Sequence, residues 1–335
     1  MIKVCTLCSG YDSQMLAMKR IEKDFGLESE LVAWSEIDPI PIKAHNALFP
    51  EYADRNLGDM TKIDWTKVED FDLLTYSTPC TNISVQGRQE GFKKDSGTAS
   101  SIIWYTEEGI KIKKPKYLLM ENVKQMVSKR YVEDFKTWLS VLESYGYKNY
   151  YKVLDSANYG IPQHRERIFV VSVLGDEEYS FPEAIKLDKE LYDYLEPIDP
   201  EWIYNPKYLH NFHRYGVKKN KSPYSLQVIG NVFKSDFNSG NVYNAFKHEN
   251  DIDKTISPTC MLHHGTSIVL EREDENGNPI IVKLTPREML QLMGCTKENV
   301  DVMQNAIGRT GLLKVAGNSI VVDVLYHIFK SMFIK

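Results

Sequence analysis

From residue 1 to about residue 175, short apolar runs alternate with stretches of helical period, and no other feature restricts the fold so strongly. Residues 3–7, 31–35, 72–76, 116–120, 151–154 and 167–173 read as strands. Residues 13–25, 100–113 and 132–145 read as helices, the last closing on Gly146. In the first of these, Met15, Leu16, Met18, Ile21 and Phe25 supply much of an apolar face. Strands separated by helices of this length form βαβ units, which call for a mostly parallel sheet covered on both faces. The expected class is α/β, with a doubly wound sheet.

The alternation stops at Gly175. Residues 176–201 hold ten Asp/Glu against two Lys, punctuated by Pro182, Pro197 and Pro200, as in a linker or outer layer. Residues 205–247 reverse the sign: Lys207, Arg214, Lys218, Lys219, Lys221, Lys234 and Lys247 stand against Asp236 alone, with eight aromatics interleaved. Weak periodicity there points to loops and short strands in a smaller, irregular β-rich domain. A last helix, residues 319–333, follows the Gly317-Asn318 turn and offers Ile320, Val324, Ile328 and Phe329 for burial. The expected division is therefore 1–178, 179–300, and a C-terminal segment 301–335 packing back on the first domain, within what 335 residues allow. The net charge of −5 averages an acidic body with one basic face. Such polarity excludes a histone-like surface but suits a nucleic acid on one side.

No segment approaches the roughly 18 consecutive apolar residues that a membrane span needs, so the expectation is a cytoplasmic protein with no membrane contact. Five cysteines, at positions 5, 8, 80, 260 and 295, make no disulfide framework in a chain this long. Cys5 and Cys8 have CxxC spacing, yet no second pair completes a zinc set and their apolar neighbours suit small core residues. No metal is expected.

The first strand runs through Ser9-Gly10-Tyr11-Asp12-Ser13 into a helix, the general geometry for an adenosine-containing ligand. The GxGxxG of pyrophosphate binders is missing, so a cofactor without pyrophosphate fits better than NAD. Acids close the next segments: Glu36-Ile37-Asp38 after one strand, and Gly58-Asp59-Met60 further on. Singly, each is more readily a solvated loop carboxylate; together, at successive strand ends on one rim, they favour a ligand. The strand 72–76 leads into Pro79-Cys80 and a long Gly/Ser/Gln loop, where α/β enzymes place reactive groups, so Cys80 is a candidate nucleophile. Glu121-Asn122-Val123 puts a carboxyl on the same rim. In Gln163-His164-Arg165-Glu166-Arg167 strand alternation would send Gln163, Arg165 and Arg167 to one side.

Nearly the whole chain resembles, in family order, the DNA cytosine-5 methyltransferases of bacterial or phage type. The resemblance is carried by the Ser9-Gly10 turn, Glu36, Asp59, Pro79-Cys80 with Ser84, Gly87 and Gly91, Asp95-Ser96-Gly97-Thr98, Glu121-Asn122-Val123 and Gln163-x-Arg165-x-Arg167. Leu284-Thr285-Pro286-Arg287-Glu288 and Gly317-Asn318-Ser319 complete it. It implies a Rossmann-like methyltransferase domain, a target-recognition domain, S-adenosylmethionine as cofactor and double-stranded DNA as substrate.

By that resemblance Cys80 adds to carbon 6 of a flipped-out cytosine. Glu121 relieves charge at ring nitrogen 3 through a carboxyl of raised pKa. Arg165 holds the base carbonyl, and Arg167 joins the catalytic set. The cofactor set is Ser9, Gly10, Tyr11, Asp12 and Ser13 with Asn318 and Ser319 at the methionine end, Glu36 at the ribose, Asp59 at the adenine amino group, and Ile37, Met60 and Pro79 beside them. The DNA set is Ser84, Gln86 and Arg88 in the loop 81–99, which would close over the duplex, and Arg214, Lys218, Lys219 and Lys221.

Four residues depart from the family pattern: Tyr11 and Asp12 in the usually Gly-rich turn, Thr81 in place of the usual glutamine, and Val282 in place of an arginine. A transfer RNA methyltransferase on the same scaffold would carry Cys-Phe-Thr where this chain has Gly294-Cys295-Thr296. A nicotinamide oxidoreductase would explain the βαβ region but neither Pro79-Cys80 nor the QxRxR set. A non-catalytic DNA-binding module would need neither Cys80 nor Glu121. The enzyme is expected to be monomeric, with a cognate restriction endonuclease as the candidate partner.

Overall fold

A computed structural model describes residues 1–83, 90–189, 191–203, 227–233, 242–243 and 266–334. The chain forms two compact units. The first comprises Met1–Asp155, Glu166–Glu183 and Val324–Lys335; the second comprises Ser156–Arg165 and Ala184–Asp323.

The first unit is built on a six-stranded sheet in the order β2-β1-β3-β4-β6-β5. Its strands are β1 Ile2–Leu7, β2 Ser29–Ser35, β3 Leu73–Tyr76, β4 Tyr117–Val123, β5 Tyr147–Asp155 and β6 Glu166–Leu174. The first four are parallel, whereas β6 runs antiparallel to both β4 and β5. The mostly parallel sheet expected from the sequence is therefore present, with an antiparallel β5–β6 edge.

Register explains the core. Cys5 pairs with Leu74 and Leu7 with Tyr76; Leu74 pairs with Leu118 and Tyr76 with Met120; Met120 pairs with Val170. Each row points to one face, where period-two alternation stacks apolar side chains. Phe135, Trp138 and Leu142 of helix α4 (Val132–Ser144) join them in one buried cluster, together with Ile103, Trp104 and Ile110. Helix α1 (Ser13–Phe25) buries Met15, Met18 and Ile21, three residues apart as a helix face requires. Gly26, in the left-handed region at φ 71°, ends it by returning its N–H to Glu22 O at 2.8 Å. Helix α2 (Pro39–Leu48) starts at Asp38, whose carboxylate accepts the Ile40 N–H, with proline in the first turn. Helix α3 is Thr106–Lys113, entered through the 3-10 turn Ala99–Tyr105, so the predicted helix 100–113 is α-helical only in its second half.

The last helix, α7 (Val322–Phe333), meets α1 within the first unit. The Tyr326 hydroxyl donates to Asp24 at 2.8 Å, and the Arg20 guanidinium lies 4.1 Å from the Tyr326 ring centroid.

The second unit holds a four-stranded antiparallel sheet in the order β10-β9-β7-β8. Its strands are β7 Gln227–Phe233, β8 Val242–Tyr243, β9 Thr266–Glu273 and β10 Pro279–Lys283. Helices α5 (Pro286–Gln291) and α6 (Lys297–Gly317) follow, the latter kinked at Gly308. Thr285 and Glu288 form a capping box at α5. The acidic stretch 176–201 is more than a solvated linker. Glu177 and Glu178 bind Lys116 and Lys148 in the first unit. In the second, Glu196 and Asp199 bind Arg287 and Arg309. Among the described residues no single helix is long and apolar enough to cross a membrane.

Candidate active site

The C-terminal ends of β1, β2, β3 and β4 carry groups expected there, but Asp59 does not stand at a strand end as the sequence suggested: it precedes the short turn Met60–Lys62. At the end of β1 the chain turns through Ser9 and Gly10, which adopts φ 60° with open space where a side chain would stand. The Gly10 N–H donates to Glu36 Oε2 at 3.1 Å. Glu36 Oε1 accepts the N–H groups of Ile37 and Asp38 at 2.8 and 2.9 Å. The carboxylate that follows β2 thus ties itself to the turn, and Oε2, which accepts one N–H, retains a lone pair for a hydroxyl donor. Tyr11, Asp12 and Ser13 are buried behind the turn rather than exposed on it, and the Ser9 hydroxyl is used internally by Thr6 and Ser35. Ile37 is 70% exposed.

Asp59 caps the short turn Met60–Lys62, accepting the backbone N–H and hydroxyl of Thr61 at 3.0 and 2.8 Å. These bonds, with Lys62 at 3.2 Å, hold its carboxyl below the usual range. Met60 is buried, and its sulfur lies 3.4 Å from the Cys8 sulfur. Burial, and secondarily the Glu36 charge, push the Cys8 thiol up to about 12, so it stays protonated and inert at neutral pH. Cys5 is fully buried.

Pro79 and Cys80 follow β3 and are half-buried, with Cys80 packed against the edge of the core cluster. Two bonds fix this segment. Asn122, at the end of β4, donates its side-chain amide to Thr78 O at 3.1 Å, and the Ile83 N–H closes a turn on Cys80 O at 3.0 Å. Asn82 then joins the loop's two stems: its carbonyl accepts the Gly91 N–H at 2.9 Å, its N–H donates to Ser100 Oγ at 3.1 Å, and its side-chain amide reaches Glu90. Thr81 is exposed and donates to the Asn82 side chain.

Glu121 lies within β4, almost buried, on the strand beside the one that delivers Cys80. Arg167, the second residue of β6, places Nε 3.3 Å from Glu121 Oε1. The expectation that Gln163, Arg165 and Arg167 share one strand face needs correction, because β6 begins only at Glu166. Gln163 and Arg165 belong to the second unit. There Gln163 donates to Leu292 O at 2.8 Å, and Arg165 donates to Ser319 O at 2.8 Å and Gly317 O at 3.2 Å. Arg165 thereby holds the turn that contains Asn318 and Ser319.

Ser84, Gln86, Arg88, Arg214, Lys218, Lys219 and Lys221 lie outside the described residues. Among the described residues, no group of three or more His, Cys, Asp or Glu side chains could hold a metal ion. The support given by Asn82, Asn122 and Ser100 was missed in the sequence, although Asn122 stands in a motif already singled out.

A family model for C-5 cytosine-specific DNA methylase matches residues 2–334. The chain belongs to that family. Similar curated proteins include the Type II methyltransferase M2.ScrFI of Lactococcus lactis subsp. cremoris, 36% identical over 280 residues, covering 83% of this chain and 71% of the relative. The orphan methyltransferase M.SssI of Spiroplasma monobiae is 30% identical over 321 residues, 89% of this chain and 78% of that protein. Among solved structures, the S. pombe Dnmt2 methyltransferase superposes with a TM-score of 0.67 at 17% identity, covering 98% of this chain and 97% of that one. Fold and family agree with the α/β reading, and the chain is a DNA cytosine-5 methyltransferase.

Proposed function

We propose that this methyltransferase works through a covalent Cys80 adduct, with S-adenosylmethionine as methyl donor and duplex DNA as substrate. The observation that carries this reading is the rim on which β3 and β4 end side by side, with Cys80 held by the Asn122–Thr78 bond next to the strand that bears Glu121 and its partner Arg167.

The turn after β1 fits the cofactor on charge. Glu36 follows β2 and Asp59 caps the turn Met60–Lys62 farther along the chain, so this edge carries two carboxylates. Carboxylates repel a pyrophosphate and accept hydrogen bonds from ribose hydroxyls and from an adenine amino group, and they favour a cationic ligand. Gly10 leaves room for close approach to the backbone. When bound, S-adenosylmethionine supplies the activated methyl group. Glu36 would receive the ribose and Asp59 the adenine amino group, while the buried Tyr11, Asp12 and Ser13 shape the turn from behind.

Carbon 5 of cytosine is a poor nucleophile, and it lies inside the duplex. The base must leave the stack, at a cost of a few kcal/mol. The Cys80 thiolate then adds to carbon 6, and the electrons pushed into the ring make carbon 5 nucleophilic. Glu121 hydrogen-bonds ring nitrogen 3, where charge builds, and Arg167 fixes that carboxyl's orientation. The proton on carbon 5 leaves after methylation, through water in this reading, and the thiolate is expelled. The assignment of Arg165 to the base carbonyl rests on its motif. Type II relatives support a restriction-modification setting, with a cognate endonuclease as partner.

Cys80→Ala tests the mechanism. The variant should retain cofactor binding and lose methyl transfer to duplex DNA by at least about a thousandfold; sustained turnover would sink the nucleophile assignment.

A further inference from the structure

Asp12 has no exposed surface, yet it occupies the turn between β1 and α1 with a left-handed backbone at φ 68° and ψ 64°. Glycine enters that region freely; another residue stays there only where surrounding bonds hold it. The bonds are present. Asp12 Oδ1 accepts the Met15 N–H at 3.0 Å, capping α1, and Oδ2 accepts the Thr6 hydroxyl at 2.8 Å. The Asp12 N–H returns to Ser9 O at 2.8 Å. Thr6 Oγ1 is also 2.9 Å from Ser9 Oγ, which in turn reaches Thr6 O and Ser35 O. One carboxylate therefore links β1, the turn and α1, and through Ser9 the end of β2.

A second group faces this acid. His45 of α2 is fully buried, stacks on Trp34 with ring centroids 3.7 Å apart and planes at 16°, and brings Nε2 to 3.6 Å from Asp12 Oδ2. Neither imidazole nitrogen has a hydrogen-bond partner among the described residues. Burial, with the Asp12 charge second, pushes the nearby Cys5 thiol up. A carboxylate and an imidazole buried this deeply are costly, and packing alone would be served better by apolar side chains. One step outward lie Ser9 and Gly10, with open space beside Gly10, whose N–H donates to Glu36.

We propose that Asp12 is the positioning residue of the cofactor turn, its buried carboxylate locking the Ser9–Gly10 backbone and the Glu36 contact in the ligand-receiving form before the ligand arrives. This rests on the reading of that turn as the S-adenosylmethionine site. Preorganisation of this kind acts on affinity rather than on the chemical step.

Isothermal titration with S-adenosylhomocysteine on the full chain tests it, using Asp12→Asn, Asp12→Gly and Glu36→Ala. Asp12→Gly should raise Kd about tenfold or more, and Asp12→Asn, which keeps the cap but not an acceptor at Oδ2, about threefold or more. In methylation assays both variants raise the cofactor KM and leave kcat at saturating cofactor within about twofold. A wild-type Kd in either variant overturns the proposal, whatever happens to its melting temperature. Loss of binding in Glu36→Ala with wild-type binding in the Asp12 variants refutes the positioning role alone. Undiminished binding in Glu36→Ala refutes the cofactor reading, and the positioning role falls with it.

Discussion

Glu121 and Arg167 face one another across the β4–β6 pair, Arg167 Nε standing 3.3 Å from Glu121 Oε1. Register produces this contact: Glu121 pairs with Phe169 and Val123 with Arg167, so the two side chains are diagonal neighbours on one sheet face. Arg167→Ala should leave the Glu121 carboxyl without its orienting partner and lower the single-turnover methylation rate about tenfold to a hundredfold. DNA and cofactor affinity should change little. An unchanged rate would remove Arg167 from the catalytic set.

Asn122 predicts a different signature. Its amide bond to Thr78 O holds the segment that carries Cys80, and it does not itself face solvent. Asn122→Ala should cost about 1–3 kcal/mol of stability, as a buried hydrogen bond is lost and a carbonyl is left unpaired. It should also slow formation of the Cys80 adduct more than it weakens DNA binding. Urea denaturation and stopped-flow adduct kinetics measure the two effects separately.

Much of this architecture was legible in the sequence. The strand–helix alternation placed the β1–β4 core, and Pro79-Cys80 and Glu121 stood at strand ends because that is where a parallel sheet exposes its chemistry. The direction of β6 was not legible, since an apolar run such as 167–173 reads alike in either orientation. The separation of Arg165 from Arg167 was hidden for a related reason. Period-two spacing looks like one strand, whereas β6 begins at Glu166, between the two arginines, and Arg165 is drawn to the carbonyls of Gly317 and Ser319. Asp12 read as one of the cofactor-contacting residues of the turn, because sequence alone does not tell a buried capping carboxylate from one that faces a ligand.

Glu288 carries a pH dependence. Burial, the largest cause, raises its carboxyl above the ordinary 4.5 despite bonds from the Thr285 and Glu196 N–H groups. The folded state then binds the proton more tightly than the unfolded state. Its contribution to stability is full below the ordinary value and is lost as pH rises through the raised one. Glu288→Gln cannot ionise and escapes that loss. The variant's melting temperature relative to wild type should therefore rise by a few degrees between pH 4 and pH 8. A constant difference across that range would contradict the burial argument.

The central claim is that Cys80 is the nucleophile, and a covalent trap tests it most directly. Incubation with cofactor and duplex DNA containing 5-fluorocytosine at the methylation site blocks the final proton loss and should leave a stable protein–DNA adduct, with peptide mass spectrometry placing the bond on Cys80. Absence of an adduct under conditions where ordinary duplex is methylated, or an adduct on another residue, would contradict the account.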